Sequence, residues 1–218
     1  MSTPDGRLQT IRDDIAAAAK LARREPAEIT LIAVSKTREA AEIEPLIAAG
    51  QRHFGESRVQ ETLGKWPPLL DRHPGLTLHC IGRLQSNKAA EAAALFDVIH
   101  SLDRVSLLAA LAAEADKQSR APAVYVQVNI GEEEQKGGCA IGDLGALLAA
   151  VRASPLPLAG LMAIPPLGVE PSPFFALLAE LARRHDVTGL SMGMSADYRA
   201  AVMLGATAVR VGTALFED

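Results

Sequence analysis

The chain has 218 residues, 49% of them hydrophobic and 22% charged, and its net charge is −4. This composition is typical of a globular protein with a sizeable core, and the spread of both charge signs argues against a nucleic-acid or membrane-surface role. No apolar run approaches the ~20 residues of a transmembrane helix, residues 1–14 lack a signal-peptide pattern, and Cys80 and Cys139 stand alone, so we expect a cytoplasmic protein without a disulfide.

Short apolar strands alternate with longer helical segments along the chain. A helix over 7–24 is predicted before the first strand. Strands are predicted at 29–36, 53–57, 77–83, 98–103, 123–130, 158–164, 189–194 and 208–213. Segments between them, such as 103–117 and 141–152, carry apolar residues every three or four positions, which is the spacing of a helix packed by one face.

The predicted strands are apolar without clean alternation, as in parallel sheets that are covered on both faces. Strands that alternate with helices are joined by right-handed crossovers, and eight such units close most simply into a barrel. We therefore predict an α/β fold, a single (β/α)₈ barrel over residues 1–218 with an additional N-terminal helix. The alternative is an open, doubly wound sheet.

Ligands of such barrels bind at the carboxyl ends of the strands, and the first predicted strand ends there in Lys36. A lysine after the run LIAV is expected in partly apolar surroundings, which lower an amine's pKa and favour attack on an aldehyde. On its own, such a lysine is more often a solvated strand end.

The ends of strands seven and eight carry the pattern of a phosphate site. Ser195 is predicted as the N-cap of a helix that begins at Ala196, and a helix N-terminus presents free N–H groups to an anion. Gly212 and Thr213 end strand eight, where glycine lets the backbone approach a ligand. The loops after these two strands are the recurrent phosphate site of the fold. A phosphate anchor opposite a lysine predicts a site for pyridoxal 5′-phosphate (PLP).

Arg210 shares a face of strand eight with Gly212, so it is a candidate partner of the PLP pyridine nitrogen. The alternative is a salt bridge with a carboxylate at the barrel's edge. His79 is more simply a buried, hydrogen-bonded histidine, and Lys136 a surface lysine. The five histidines lack metal-ligand spacing, so no metal is expected.

Eight segments in order resemble the pyridoxal-phosphate homeostasis proteins, the single-domain relatives of the alanine racemase barrel, over nearly the whole chain. They are AVSKT (33–37), FGESRVQE (54–61), HCIGRLQSNK (79–88), HSLDR (100–104), VNIGEEEQKGG (128–138), GLMAIP (160–165), LSMGMS (190–195) and VRVGTALF (209–216).

The resemblance implies a PLP carrier, active in vitamin B6 homeostasis and amino-acid balance, without robust catalysis. It implies a Schiff base on Lys36, phosphate contacts around Ser191, Ser195, Gly212 and Thr213, and Arg210 near the pyridine nitrogen. Met192 belongs to the same implied cofactor-binding set. The ring would lie near Ser57, His79 and Ile81.

Two departures from the family pattern affect the pocket. Ser57-Arg58 stands where members usually have Asn-Tyr, which predicts looser contact with the ring or aldehyde side. The stretch 165–189 is shorter than usual, which predicts a reshaped loop and helix after strand six.

A carrier is expected because the second acid/base group that racemisation requires is not evident, since neither Tyr125 nor Tyr198 is obviously placed opposite Lys36. The expected partners are PLP and, transiently, PLP-dependent enzymes, and a monomer is expected. The alternatives are a weak PLP-dependent racemase or lyase and a Schiff-base aldolase for a phosphorylated sugar, with Glu56 or Asp103 as acid.

Overall fold

The computed structural model describes residues 3–217, and eight parallel strands in it close into a barrel in chain order. The predicted barrel is therefore confirmed, and the open-sheet alternative is wrong. The strands are β1 (Thr30–Val34), β2 (His53–Glu56), β3 (Thr77–Cys80), β4 (Val98–Leu102), β5 (Ala123–Gln127), β6 (Leu158–Met162), β7 (Leu190–Ser191) and β8 (Ala208–Val211).

Helices cover the outside of this barrel. Within residues 3–217 they are α1 (Pro4–Leu21), α2 (Ala40–Ala48), α3 (Val59–Lys65), α4 (Pro67–Arg72), α5 (Ala89–Leu95), α6 (Val105–Gln118), α7 (Leu144–Arg152), α8 (Ser172–Arg184), α9 (Tyr198–Met203) and α10 (Thr213–Phe216). None of them combines the length and apolarity that a membrane-spanning helix requires.

The strands end earlier than the sequence predicts, which changes where the candidate residues lie. β1 ends at Val34, whose register partner on β2 is Gly55, and the chain leaves the sheet before Lys36. β7 contains two residues rather than six. Apolar runs mark the sheet, but a residue past the last ladder bond belongs to a loop however apolar its neighbours are.

The helix after β7 does not begin at Ala196 with Ser195 as its N-cap, so that prediction is wrong. α9 begins at Tyr198 with Asp197 at its N-cap, and Asp197 Oδ1 accepts the Met194 N–H at 2.6 Å. A tight turn therefore occupies 194–197. Gly193 precedes it at φ +92°, where an added Cβ would lie 2.5 Å from Cβ of Ala201.

The two faces of the barrel wall differ in polarity. Leu31, Phe54 and Val209 belong to the apolar layer between strands and helices. Successive side chains of a strand point to opposite faces, so the intervening positions face the barrel interior. That interior contains polar groups as well as apolar ones, because His100 of β4 contacts Ser191 of β7 across it.

Candidate functional site

A cavity of about 480 Å³ lies at the carboxyl ends of the strands. Its lining includes seven of the ten residues that the sequence assigned to PLP: Lys36, Ser57, Ile81, Ser195, Arg210, Gly212 and Thr213. The strand-one lysine and the group after β7 and β8 therefore share one opening. The PLP contacts of these residues stay predictions.

The other three assigned residues do not line this cavity. Met192 is completely buried in the apolar layer outside the strands. Ser191 is also buried and accepts a hydrogen bond from the Arg210 guanidinium. His79 is buried and hydrogen-bonded to two other histidines, as the simpler interpretation of it held. The PLP contacts that the resemblance implies for these three residues also stay predictions.

Lys36 is exposed at the cavity, two residues beyond the end of β1. The strand stops before the lysine is enclosed, but Val34, Ile81 and Ile164 line the same cavity, so the surroundings of Lys36 are partly apolar on that side. Its Nζ has no hydrogen bond or ion pair with any residue in 3–217. The amine is therefore available to a ligand in the cavity.

The turn that carries Lys36 is strained and is held by neighbouring side chains. Thr37 has φ +63°, which is unfavourable for a β-branched residue and costs of order 1–3 kcal/mol. Its N–H donates to Glu61 Oε1 at 2.7 Å. Lys65 Nζ donates to the carbonyls of Ser35 at 2.9 Å and Arg38 at 3.0 Å, one on each side of the lysine. Strain of this kind is typical of functional sites.

A buried cluster around Lys65 and Glu56, which ends β2, stabilises this turn. Lys65 Nζ lies 2.8 Å from Glu56 Oε1, and the Glu56 side chain is completely buried. The same oxygen accepts hydrogen bonds from Ser35 Oγ at 2.7 Å and Trp66 Nε1 at 2.8 Å. The sequence analysis missed this cluster. Its only signal was an acidic residue at the end of a predicted buried strand, followed by a Lys-Trp pair.

The other side of the cavity offers hydroxyl and amide groups. Gly212 N–H donates to Ser195 Oγ at 3.2 Å, which fixes the serine beside the start of α10. Thr213 is exposed at the first position of that helix, where backbone N–H groups have no helical partner. These are donors of the kind that bind phosphate oxygens.

Arg210 is a buried cation between these two sides. Burial lowers the pKa of its guanidinium to about 10, so it stays charged at neutral pH, and only 4% of the residue is exposed. It donates to Ala163 O at 3.1 Å and to Ser191 Oγ, and no carboxylate within residues 3–217 pairs with it. The salt-bridge interpretation is therefore wrong. The Asp197 carboxylate acts on this cation only from beyond ion-pair distance. A buried cation with no ion-pair partner within residues 3–217, at the edge of a cavity, fits an anionic ligand such as PLP.

Other polar residues that the sequence singled out have partners elsewhere. Asp103 is paired with Arg104 at 2.5 Å, and neither Asp103 nor Glu56 lines the cavity. Lys136 lies 2.6 Å from Glu133 and donates to Pro165 O at 3.2 Å. The two acids suggested for an aldolase, Glu56 and Asp103, are therefore not presented to a ligand beside Lys36, and the carboxylate that does line the cavity, Glu217, is paired with Arg38.

Comparison with known proteins gives the class of this barrel. The model of the family "Alanine racemase, N-terminal domain" matches residues 7–218. An alanine racemase from Corynebacterium glutamicum has the same fold, with a TM-score of 0.65 and 18% identity, over 95% of this chain and 60% of the racemase.

Relatives that align over nearly the full length of both chains identify the family within this class of barrel. The pyridoxal phosphate homeostasis protein of Pseudomonas aeruginosa is 42% identical, in an alignment of 222 positions that covers 99% of this chain and 96% of that protein. The Escherichia coli K12 protein of the same name is 41% identical, over 96% and 94% of the two chains. PipY of Synechococcus elongatus, whose structure has PLP bound, has a TM-score of 0.80 and 42% identity, over 93% of this chain and 99% of PipY. The chain belongs to the pyridoxal phosphate homeostasis protein family.

Proposed function

We propose that this protein binds PLP as a Schiff base on Lys36 and serves vitamin B6 homeostasis and amino-acid balance, with residues 1–218 acting as one binding domain. The observation that carries the proposal is the cavity itself. It combines an exposed lysine and a buried arginine, neither of which has an ion-pair partner within the described residues 3–217. PipY, 42% identical and structurally similar, has been seen with PLP bound.

Each part of the lining fits one part of the cofactor. PLP supplies an aldehyde for an amine, a phosphate and a pyridine ring. Ser195 Oγ, Thr213 and the amides at the start of α10 would hold the phosphate. Arg210 would lie by the pyridine nitrogen and disfavour its protonation, while Ser57 and Ile81 would flank the ring.

The surroundings of the cavity favour a carrier over an enzyme. Tyr198 Oη donates to Asp14 of α1 at 2.8 Å, and Tyr125 stacks on His100 with 4.4 Å between ring centroids. Neither tyrosine lines the cavity, so neither offers a second acid/base group opposite Lys36. The exposed position of Lys36 and Thr213 suits exchange of PLP with solvent or with transient PLP-dependent enzyme partners, by a protein that acts as a monomer in the cytoplasm.

The first test is Lys36→Ala. The wild-type protein mixed with PLP is expected to turn yellow and to retain the cofactor covalently after borohydride reduction, as seen by absorbance and intact mass. Lys36→Ala should lose the covalent adduct and keep a folded barrel by circular dichroism. Lys117→Ala, on the exposed face of α6, is the matched control and should behave as wild type.

Two outcomes would contradict the proposal. A covalent adduct that survives in Lys36→Ala would show that another amine holds the cofactor. Rapid exchange of an amino acid's α-hydrogen in deuterated water, dependent on Lys36, would show that the protein is a racemase or lyase rather than a carrier.

A further inference from the structure

A continuous chain of side-chain hydrogen bonds crosses the interior of the barrel and ends at the proposed PLP cavity. The chain starts at His53 on β2, whose Nδ1 lies 3.1 Å from Nε2 of His79 on β3. Nδ1 of His79 lies 2.9 Å from Nε2 of His100 on β4. Nδ1 of His100 lies 2.8 Å from Oγ of Ser191 on β7, which contacts the guanidinium of Arg210 on β8.

The arginine determines the direction of every hydrogen bond in this chain. A guanidinium only donates, so Ser191 Oγ accepts from Arg210. The hydroxyl could also accept from His100, but that arrangement would point an N–H at the buried cation and leave the Ser191 O–H without an acceptor among residues 3–217, so its proton goes to His100 Nδ1. A neutral imidazole that accepts at Nδ1 carries its proton on Nε2, so His100 donates to His79 and His79 donates to His53. All the protons point away from the cavity, and all the lone pairs point towards Arg210.

The histidines of this hydrogen-bond chain are neutral. His79 is 5% exposed and His100 completely buried. Burial, and for His100 also the charges of His79 and Arg210, lowers the histidine pKa values, that of His79 to about 3. A proton on either ring would place a second cation beside Arg210 in the barrel. The ring nitrogens are also at hydrogen-bond distance from one another, and no set of metal ligands occurs within residues 3–217.

The buried Arg210 cation can be stabilised either by a carboxylate or by a chain of neutral hydrogen-bonding groups. A buried cation requires stabilisation, and a carboxylate would supply it but would compete with an anionic ligand for the same charge. Aligned hydrogen bonds in a low-dielectric interior strengthen one another, and here their negative ends face the guanidinium. They stabilise Arg210 and leave its net charge in place.

We propose that Ser191, His100 and His79 are positioning residues that orient and stabilise Arg210 through neutral hydrogen bonds, so that its full positive charge faces the ligand in the cavity. The role in ligand binding rests on the proposed PLP function. The direction of the chain does not, and it is measured on the ligand-free protein.

The first measurement is the tautomer of each histidine, from the ¹⁵N chemical shifts of the two ring nitrogens in the ligand-free wild-type protein at neutral pH. Both His79 and His100 are expected as neutral Nε2–H forms. A neutral Nδ1–H form or a charged ring at either position would overturn the proposal, whether or not the protein binds PLP.

Variants of Arg210 test whether the arginine sets the direction. Arg210→Lys keeps a donor-only cation and should keep both histidines as Nε2–H. Arg210→Met removes it, so Ser191 can accept from His100 and the chain can reverse, which should give a mixture of tautomers. A single Nε2–H form in Arg210→Met would show that the direction comes from elsewhere.

Ser191 and Ser101 provide a matched pair for the effect on the ligand. Both hydroxyls are buried, but Ser101 Oγ has no hydrogen-bond partner within the described chain. Ser191→Ala should weaken PLP binding roughly three- to tenfold, because Arg210 loses an acceptor that orients its guanidinium, and shift the absorbance maximum of bound PLP. Ser101→Ala should change neither. Equal behaviour of the two variants would overturn the positioning role, whereas absence of PLP binding in the wild type would refute only the proposed function.

Discussion

The two sides of the cavity each hold a cation, and they do so by opposite means. On the side of β1 and β2, the Lys65 ammonium is paired with Glu56 and Glu61 and fixes the turn around Lys36. On the side of β7 and β8, Arg210 has only neutral partners. The cation that fixes the turn around Lys36 is neutralised by carboxylates. The cation that would face the ligand is held by neutral groups and keeps its charge.

The largest expected effect concerns the ligand side. Ser195→Ala combined with Thr213→Ala should weaken PLP retention, since each lost charge-assisted hydrogen bond costs roughly 1.5–3 kcal/mol. Equilibrium dialysis against PLP measures the change. Thr10→Ala combined with Ser172→Ala, a pair on α1 and α8 outside the cavity, is the control. Unchanged affinity in the first pair would place the phosphate elsewhere.

The second effect concerns the paired side. Lys65→Met leaves the buried Glu56 carboxylate without its cation and frees the carbonyls beside Lys36. The free energy of unfolding should fall by about 3–5 kcal/mol, measured by chemical denaturation. Lys88→Met breaks a more exposed pair with Glu91 and should cost less than about 1 kcal/mol. Equal losses in both variants would remove the distinction between the two sides.

The third effect is a dependence of stability on pH. The ordinary pKa of histidine is 6.5, and burial lowers that of His79 to about 3 and that of His100 well below its usual value. Between these limits the unfolded chain binds protons that the folded chain does not. The free energy of unfolding should therefore fall as pH drops below 6.5, by roughly 1.4 kcal/mol per pH unit for each histidine.

Denaturation at pH 7 and pH 5 measures this slope. His79→Asn should show a shallower fall than wild type, because one of the two buried rings is gone. His73→Asn, at the end of α4 and outside the barrel interior, controls for the substitution itself. The same slope in wild type and His79→Asn would contradict the assignment of a neutral, buried ring.

The smallest expected effect on stability is that of Arg210→Met, and it gives the most direct comparison between the two cations. Arg210→Met removes a buried charge that has no ion-pair partner within residues 3–217, so the free energy of unfolding should stay the same or rise, even though two hydrogen bonds are lost. PLP binding should weaken in the same protein. A loss of stability as large as that of Lys65→Met would show that Arg210 serves the fold rather than the ligand.

The sequence predicts the barrel and the residues around its cavity well, because both follow from local patterns. Alternation of strands and helices requires parallel pairing, and the carboxyl ends of parallel strands meet, so Lys36 and Thr213 had to lie near each other. Strand ends were less predictable. Whether Lys36 is in a strand or a turn depends on ladder bonds with β2 and on the support of Lys65, which are not local.

The interior of the barrel was the least predictable part. His53, His79 and His100 lie on three successive strands at positions of the same parity, which was a signal that they face the same side. Ser191 joins them from the opposite wall, and that contact spans 91 residues of sequence. The spacing rules for metal ligands describe residues within one helix or one strand. They could not reveal a hydrogen-bond chain in which each strand contributes one side chain.

The two-residue strand β7 has a consequence for how the barrel opens. It is the shortest strand of the barrel, and its register with β8 is the single pair Ser191↔Ala208, although three backbone hydrogen bonds join the two segments at Leu190, Met192 and Gly193. The side chain of Ser191 reaches His100 and Arg210, and so braces this seam from inside. Amide hydrogens around the seam are expected to exchange early, and an opening there would separate Arg210 on β8 from the loop at 194–197 that follows β7. Release of a bound molecule would then occur together with local separation of β7 from β8.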